Sequence, residues 1–523
     1  MPKPIHSLCA VLVAVCLAPV AAPAKEAAAS KLVSERDLNA FGLERAWSGQ
    51  VYVDAGNDKL VSVTQHTSFD PAVSFQVFDV KTEDGRVYSY SQRGRGSFGR
   101  PLGVDGAKQM AQNRLEALTA DGKKATLAER TIPHTILMAQ TARGMLHVFD
   151  AETGRTMWSQ HVGRGDYPST AAAANDKYVA MVNGMMLYVY NRGDGRLAWE
   201  RKVGSTASAG PALSATMVFI PMVGGKVEGY QLDSPRTPAW SYKASGQILV
   251  QPTITPRSVA FATDRGWMYV SRPDNPAVRY RLEARGSIVT PPAYRFPMIY
   301  AASEDGYAYA MHETAGGTAW RFGAGMPIEQ PLAAIGNAVY VSPERGGMYR
   351  LDATTGAEVW QARLANRFVS ASATRVYALD PYRRLTVVDE RNGGVVGQIG
   401  STATVDLPIV NQETDRLYLA DGDGLIQCIR EIDAKYPVVH IVANPTEAPI
   451  KKAEAAPAEA PADAGDMPPA DAGDAGANTP FGEAAPAGEE AMPADEGAAA
   501  DPAADATPQE MARELFGERP RDR

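Results

Sequence analysis

A motif of about fifteen residues recurs roughly every forty residues along most of the chain. Its clearest copy, Gly144–Trp158, has the sequence GMLHVFDAETGRTMW. The alternation of Leu146 and Val148 predicts a β-strand, the residues from Ala151 to Gly154 predict a turn, and Trp158 lies on the next strand. The motif is therefore predicted to be a β-hairpin, and any fold proposed for the chain must be built from many such hairpins.

Each repeat unit has the same order: an apolar strand, a turn glycine, a strand that ends in a polar residue, and a strand with an aromatic residue. The polar residues include Asp150 and Asp352, the glycines of the following turns include Gly154 and Gly356, and the aromatic residues are Trp158, Trp199, Trp240, Tyr280, Trp320 and Trp360, with Gly397 at the seventh position. This period, with strand signals and no helix signals, predicts an all-β fold, a β-propeller with four-stranded blades. Because the aromatic residues recur in nearly every unit, we interpret them as wedges between adjacent blades and not as ligand-stacking groups.

The two ends of the repeat array complete each other. The eighth unit, Arg416–Arg430, ends before it reaches an aromatic strand, whereas residues 43–53 form such a strand, with Trp47, and lack a preceding hairpin. We therefore predict that the ring is closed by pairing the N- and C-terminal strands, which removes open sheet edges. Eight blades are expected; seven is the alternative if the unit around Arg383, which lacks both its turn glycine and its tryptophan, is not a blade.

The segments outside the repeats have distinct compositions. Residues 1–24 have the pattern of a secretory signal peptide, with the apolar run Leu8–Ala18 and cleavage after Ala24. A lipid anchor is not favoured, because Val15 and not a small residue precedes Cys16. Residues 25–41 form an N-terminal lead with a short helix at Ser34–Phe41. The propeller spans residues 42–442, and residues 65–132 are interpreted as an insertion in its first blade with its own hairpin and helix, or as an additional degenerate blade.

Cleavage of the signal peptide leaves Cys428 as the single cysteine, which excludes an intramolecular disulfide. Its apolar neighbours predict a buried, inert thiol.

Beyond residue 442 the composition changes abruptly. Residues 443–506 are mostly Ala, Pro, Gly, Asp and Glu, and no Lys or Arg occurs between Lys452 and Arg513. Such a segment is predicted to be disordered, because it cannot bury enough apolar surface to offset its chain entropy. Residues 507–517 have helix start and stop signals. Met511, Leu515 and Phe516 would share one apolar edge of a short helix that binds a partner, although a frayed tail end is the alternative.

The repeat resembles that of a known superfamily. Residues 148–158 and 349–360 resemble the PQQ-like propeller repeat, leucine-Asp-x-x-Thr-Gly-x-x-x-Trp. In the quinoprotein alcohol dehydrogenase branch, the resemblance would imply PQQ, a calcium ion held by Glu, Asn and Asp, a catalytic Asp and a vicinal disulfide. The chain has no Cys-Cys pair, and no motif matches the calcium ligands or the catalytic base. The resemblance therefore favours the non-enzymatic branch of envelope propellers, such as the BamB-type lipoprotein of the outer-membrane β-barrel assembly machinery.

Motifs that suggest chemistry are weak. Gly94–Gly99 matches G-x-G-x-x-G, but Arg100-Pro101 follows it and no βαβ unit surrounds it, so dinucleotide binding is rejected. The arginines of this loop, Arg93, Arg95 and Arg100, could contact an anion, although a solvated loop is the simpler interpretation. Asp421-Gly-Asp423-Gly424 begins like a calcium loop but is expected to be a hairpin turn. His312 has no second histidine at metal-binding spacing. No catalytic residue, cofactor site or metal site is predicted.

The net charge of −8 gives no basic footprint for nucleic acid, and no apolar run after the first thirty residues is long enough to span a membrane. We expect a monomeric propeller, exported to the periplasm or the cell envelope, that acts as a non-catalytic scaffold for envelope proteins and needs no cofactor. The alternatives are a PQQ- and calcium-dependent dehydrogenase and a propeller that binds a saccharide or another small ligand.

Overall fold

The protein is built from eight four-stranded antiparallel sheets, in a computed structural model that describes residues 31–54, 56–96 and 99–442. Innermost strands of several neighbouring sheets contact each other and apolar clusters join every neighbouring pair, so the sheets are the blades of a β-propeller around a central channel. The expectations for residues 1–24, 443–506 and 507–517 concern residues outside the described ranges.

The first four blades follow one another along the chain, and their strands are given from the centre outward. They are blade 1, β2 (Leu60–Ser68), β6 (His134–Thr141), β7 (Met145–Asp150) and β8 (Thr156–His161); blade 2, β9 (Ala173–Ala174), β10 (Tyr178–Asn183), β11 (Met186–Asn191) and β12 (Leu197–Lys202); blade 3, β13 (Ala212–Leu213), β14 (Met217–Met222), β15 (Lys226–Gln231) and β16 (Trp240–Lys243); and blade 4, β17 (Thr253–Ile254), β18 (Val259–Ala262), β19 (Trp267–Arg272) and β20 (Asn275–Glu283).

The other four blades complete the ring, and the last one takes its outermost strand from the N-terminal part of the chain. They are blade 5, β21 (Ala293–Arg295), β22 (Met298–Ala302), β23 (Tyr307–His312) and β24 (Thr318–Gly323); blade 6, β25 (Ala333–Ile335), β26 (Ala338–Val341), β27 (Met348–Asp352) and β28 (Glu358–Ala362); blade 7, β29 (Arg367–Ala371), β30 (Arg375–Leu379), β31 (Leu385–Asp389) and β32 (Val395–Ile399); and blade 8, β33 (Leu407–Pro408), β34 (Leu417–Ala420), β35 (Leu425–Glu431) and β1 (Leu43–Gln50). A short 3-10 helix, Gly400–Thr402, follows β32.

The pairing of β1 with β35 confirms the predicted closure of the ring. Trp47 lies opposite Cys428 in this pair. The unit around Arg383 forms a complete blade, so the ring has eight blades and not seven. The strand recognised first in each sequence repeat is the second strand of its blade, because innermost strands such as Ala173–Ala174 are too short to show an alternating pattern.

The apolar core lies between the blades. Clusters of buried aliphatic and aromatic side chains fill the space between each pair of neighbouring sheets, including the pair formed by blades 8 and 1. Each sheet therefore buries both faces, which a single four-stranded sheet cannot do alone. Cys428 is fully buried in the cluster between blades 8 and 1, and burial raises the pKa of its thiol far above the usual range.

An inserted sheet lies between the first two strands of blade 1. Its strand order is β4 (Val87–Ser91), β3 (Phe75–Thr82) and β5 (Ala125–Ile132), and helix α2 (Gly103–Ala120) packs on one face through Ala107, Ala111 and Leu118. This sheet has three strands and stands apart from the ring, so it is not a degenerate blade. Because β2 continues to Ser68, the expected start of the insertion at residue 65 lies inside a blade strand.

The C-terminal strap, residues 432–442, joins the insertion to the ring. The ring of Tyr436 packs against that of Phe75 at a centroid distance of 6.0 Å, and Arg130 Nη1 donates to the Pro437 carbonyl at 3.0 Å. A β-bridge between Thr414 and Val439 attaches the strap to blade 8. We call this the insertion end of the propeller; it also carries the turns between the third and fourth strands of the blades.

The opposite end of the propeller carries the turns between the second and third strands and the connections from one blade to the next. Helix α1 (Glu35–Ala40) precedes β1, and Ser34 Oγ caps it by accepting a hydrogen bond from the Asp37 amide at 3.4 Å. No helix in the described part of the chain is long and apolar enough to cross a bilayer.

Candidate interaction sites

The aspartates of the repeat stabilise the turn between the third and fourth strands. Asp150 Oδ1 accepts hydrogen bonds from the amide and the hydroxyl of Thr153, both at 2.9 Å. Asp352 Oδ1 accepts the same two bonds from Thr355, at 2.9 and 3.0 Å. Burial alone would raise the pKa of Asp150, but hydrogen bonds from His134 and Thr153 lower it to about 2. The hydrogen bonds of this carboxylate are made within its turn and with His134, so they assign Asp150 a structural role.

The glycine of each of these turns lies under the aromatic residue of the preceding blade. Gly154 has a φ of +67°, and a Cβ there would lie 2.5 Å from the ring of Trp47. The Trp47 indole donates to the Ala151 carbonyl of the same turn at 2.9 Å. Gly356 and Trp320 repeat this arrangement. Aspartate, glycine and aromatic residue thus form one joint between two blades.

The other aromatic residues of the repeat occupy equivalent joints around the ring. Hydrogen bonds to carbonyls of the next blade join Trp158 to Arg192, Trp199 to Leu232, Tyr280 to Glu313 and Trp360 to Glu390. Trp240 differs, since its buried indole nitrogen has no partner among the described residues. The turns that follow Trp199 and Trp240, at residues 232–239 and 272–275, both have no glycine. The structure therefore distributes the predicted repeat residues around the ring and does not bring them together at one site.

Phe41 takes the place of the aromatic residue that blade 7 lacks. A Cβ added to Gly397 would overlap the ring of Phe41, which follows helix α1. Phe41 packs on the core between blades 7 and 8. Sequence reasoning missed this contact, although the absence of an aromatic residue at Gly397 was the available signal.

Arg416 stabilises the closure of the ring between blades 8 and 1. Its side chain is 1% exposed and hydrogen-bonds Glu152 of blade 1 at 3.2 Å. It also reaches Asp415 at 3.4 Å and donates to the Ala434 and Lys435 carbonyls of the C-terminal strap. One buried guanidinium therefore links blade 1, blade 8 and the strap.

The channel opens at the insertion end into a cavity of about 820 Å³. Glu413 lies at its wall and accepts a hydrogen bond from the Thr67 hydroxyl at 2.6 Å, while burial raises the pKa of its carboxyl. Gln65 donates to Asn411 at 2.8 Å, and the His440 ring lies 3.0 Å from the Ala371 carbonyl. Most of these polar groups are satisfied by one another, so they tie loops together at the channel mouth.

The residues present do not fit PQQ with a calcium ion. No group of three or more His, Cys, Asp or Glu side chains is placed to hold a metal anywhere in the described ranges. The repeat tryptophans of these ranges sit at blade joints, so they are not free to stack on a cofactor in the channel. We therefore derive no chemical step through PQQ.

The calcium-like loop at Asp421, the residue His312 and the glycine-rich loop have structural roles in turns and loops. Asp421 Oδ1 accepts the amides of Asp423 and Leu425, as in a hairpin turn. His312 Nδ1 takes the acceptor role of the repeat aspartate, 3.2 Å from the Thr314 hydroxyl. Helix α2 begins at Gly103, four residues after Gly99, which is closer to the glycine-rich loop than expected. Because β3, β4 and β5 are antiparallel, no βαβ unit is present.

Exposed apolar side chains form an arc at the opposite end of the propeller. The apolar arc comprises Leu364 and Tyr382 near blade 7, Tyr52 between blades 8 and 1, Tyr167 and Met185 near blade 2, and Val223 and Leu249 near blade 3. Tyr52 is 75% exposed and Tyr382 is 74% exposed. At the same end of blades 4 to 6, the turns carry charged residues, namely Asp264, Arg265, Arg285, Glu304, Asp305, Glu344 and Arg345. At this end, the large exposed apolar side chains of the described residues lie on blades 7, 8, 1, 2 and 3, and exposed charged residues such as Arg143, Asp166 and Arg383 lie among them.

Sequence reasoning missed the apolar arc, because each member is a single residue in a turn. The available signal was a large apolar residue beside a turn glycine, as in Gly184-Met185 and Val223-Gly224.

Comparison with known proteins gives the family. A profile of the family described as outer membrane protein assembly factor BamB matches residues 142–287 and 304–425, a little over half of the chain. No curated protein matches the sequence.

Several solved structures are similar in fold. BamB from Moraxella catarrhalis is 18% identical with a TM-score of 0.47, and the match covers 56% of this chain and 91% of that one. The computationally designed protein Ika8 is 15% identical with a TM-score of 0.47, over 56% and 92% of the two chains. The C-terminal WD40 domain of Sif2 is 11% identical with a TM-score of 0.45, also over 56% and 92%.

The repeat residues, the eight-bladed ring and the profile match lead to one assignment: the chain belongs to the BamB family of PQQ-like β-propellers.

Proposed function

We propose that the protein is a non-catalytic scaffold that binds partner proteins in the cell envelope. The observation that carries this proposal is the apolar arc at the opposite end of the propeller. Tyrosine, methionine and aliphatic side chains exposed together on a rigid surface are typical of the centre of a protein–protein interface. The BamB-like propeller fold supports an interaction role in general, since the ring holds many loops in fixed positions.

The asymmetry of the opposite end indicates how a partner docks. Blades 7, 8, 1, 2 and 3 present large apolar side chains among charged ones, whereas the turns of blades 4 to 6 present charges without such apolar side chains. A partner with a complementary apolar patch would therefore cover the arc, with the charged residues around it at the polar rim of the contact. The name of the matched family suggests that such partners belong to the assembly of outer-membrane proteins.

Substitution of the arc tests this proposal. Tyr52→Ser combined with Tyr382→Ser removes the two most exposed tyrosines of the arc. Val359→Ser combined with Val396→Ser is the matched control, because these exposed valines lie on outer strands of blades 6 and 7. We expect the tyrosine pair to abolish co-purification of outer-membrane assembly proteins and the valine pair to leave it unchanged. Equal recovery of those proteins with both variants, at equal thermal stability, would refute the proposal.

The proposal also covers cofactors and location. Addition of PQQ and calcium to the purified protein should leave its absorbance spectrum unchanged; tight stoichiometric binding would instead favour the dehydrogenase alternative.

Cell fractionation should find the protein in the periplasm or envelope, beginning at Lys25. Chains with and without residues 443–523 should capture different partner sets if residues 507–517 bind a partner.

A further inference from the structure

The inserted sheet has an edge strand with unpaired backbone groups. Strand β4 is the outer strand of the order β4, β3, β5. The Thr82 amide donates to Arg86 and the Gln92 amide donates to Gln76, both at 3.0 Å. Because hydrogen-bonded pairs alternate in an antiparallel ladder, the backbone groups of Val87 and Ser89 point away from β3. Val87 is also 44% exposed, so this edge is accessible.

Arginines lie before and after strand β4 and on the helix that packs against its sheet. Arg86 lies on the turn before β4, Arg93, Arg95 and Arg100 lie between β4 and α2, and Arg114 lies on α2. Among the described residues, only Arg86 has a carboxylate partner, Asp84, and that pair is solvent-exposed. The other four guanidiniums are therefore free of internal ion pairs.

Two of the arginines are held in place by aromatic rings. Arg114 Cζ lies 4.2 Å from the centroid of the Tyr88 ring, and Arg93 Cζ lies 4.3 Å from that of Phe75. Hydrogen bonds from Arg114 and Arg86 lower the pKa of Tyr88. Arg114 Nε is buried and has no hydrogen-bond partner in the described ranges. Stacking restricts these side chains in advance, so less conformational entropy is lost when an anion binds.

We propose that this arginine edge binds an acidic, extended segment of a partner protein, which adds to β4 as a further strand. Val87 and Ser89 supply backbone hydrogen bonds, as in other strand additions. The arginines supply forked bonds to carboxylates on alternate residues of the added strand. Five residues of β4 span about 17 Å, with Arg86 before the strand and Arg93, Arg95 and Arg100 after it, so positive charge at both ends suits an extended chain better than a single phosphate. A basic strand is disfavoured because the arginines would repel it, and a neutral strand gains no ion pairs from them.

This surface is separate from the apolar arc, so its test can fail while the proposed function stands. The probe is a fluorescent twelve-residue peptide of alternating Glu and Thr, titrated with the full chain and followed by anisotropy. We expect saturable binding that weakens about tenfold between 50 and 300 mM salt, because exposed charges are screened. A peptide with Lys in place of Glu should not bind.

Two pairs of variants identify the contacts. Arg95→Ser with Arg100→Ser should weaken binding about tenfold, which corresponds to about 1.4 kcal/mol. The control pair, Arg265→Ser with Arg285→Ser, lies at the opposite end of the propeller and should change binding less than twofold. Val87→Pro removes one outward amide at an edge position that tolerates proline and should weaken binding about tenfold, whereas Val87→Thr should not.

The outcomes are decisive in both directions. Loss of binding with the Arg95 and Arg100 pair and with Val87→Pro, at unchanged unfolding temperature, supports strand addition of an acidic chain. Equal binding of the Lys peptide, or no effect of either the arginine pair or Val87→Pro, overturns it. Binding of heparin that is insensitive to Val87→Pro, with no binding of the Glu peptide, also overturns it, since the edge would then be a polyanion site.

Discussion

Arg383 occupies a turn position that glycine occupies in most other blades. Its φ is +62°, which lies in the left-handed region, and the equivalent Gly144 and Gly306 have φ values of +88° and +82°. A non-glycine residue pays about 1–2 kcal/mol for this conformation. Glycine costs about 0.5–1 kcal/mol in chain entropy, so Arg383→Gly should raise the free energy of unfolding by up to about 1 kcal/mol. Urea unfolding measures the change. Arg391→Gly is the control and should lower stability, because Arg391 does not have a positive φ.

Arg416 is the largest fully buried side chain in the described ranges, and its loss should weaken the closure of the ring. Arg416→Met leaves Asp415 and Glu152 without their cation. We expect the free energy of unfolding to fall by about 3–5 kcal/mol, because an uncompensated buried charge costs this much. Arg391→Met, at an exposed turn, should change it by less than about 0.5 kcal/mol. Similar stability of the two variants in urea unfolding would contradict the fastening role of Arg416.

Asp415 gives the closure an unusual pH dependence. Burial raises the pKa of its carboxyl to about 6, and the nearby Arg416 opposes this shift. Because the folded-state pKa lies above the unfolded value, the stabilising contribution of this group is complete below about pH 4 and is lost as the pH rises through about 6. Between pH 6 and 4 it should add about 1–3 kcal/mol to the free energy of unfolding. Asp415→Asn should remove this increment, and an unchanged pH profile would show that another group causes it.

At the scale of elements, Phe41 at the end of the N-terminal lead and the strand β1 that follows it stabilise two blades. Strand β1 completes blade 8, and Phe41 fills the space at Gly397 in blade 7. Phe41→Ala should lower the free energy of unfolding by about 2–4 kcal/mol, since it leaves a cavity at the joint. Gly397→Phe should also destabilise the protein, because its ring would collide with Phe41. The double variant should be more stable than either single one; additive losses in urea unfolding would show that the two positions do not share one space.

The sequence predicts the elements that repeat, because a pattern that recurs eight times can be read without any knowledge of long-range contacts. The hairpins, the joints at Trp158 and Trp360, and the closure by Trp47 belong to this class. A contact that occurs only once in the molecule leaves no repeated pattern in the sequence. Phe41 and Gly397 are far apart in sequence, and Arg416 reaches Glu152 across the ring closure, so local patterning gives no sign of either contact. The apolar arc could not be predicted either, since its members approach one end of the molecule only after the ring has closed.

At the scale of the whole molecule, the two ends of the propeller differ in chemistry. The opposite end has the apolar arc, whereas the insertion end carries the inserted sheet, the C-terminal strap and the arginine edge. The ring keeps these surfaces apart, so the partners proposed for the two ends would not compete for one site. This division follows from the alternation of turns between the two ends of every blade.

The proposed function requires that a partner protein covers the apolar arc in the cell envelope. The most direct measurement places a photocrosslinking amino acid at position 52 or 382 in living cells and, as a control, at position 359. We predict one discrete crosslinked product that contains an outer-membrane assembly protein from each of the two arc positions and none from the control position. Crosslinking that is absent at positions 52 and 382, or equal at position 359, would contradict the claim.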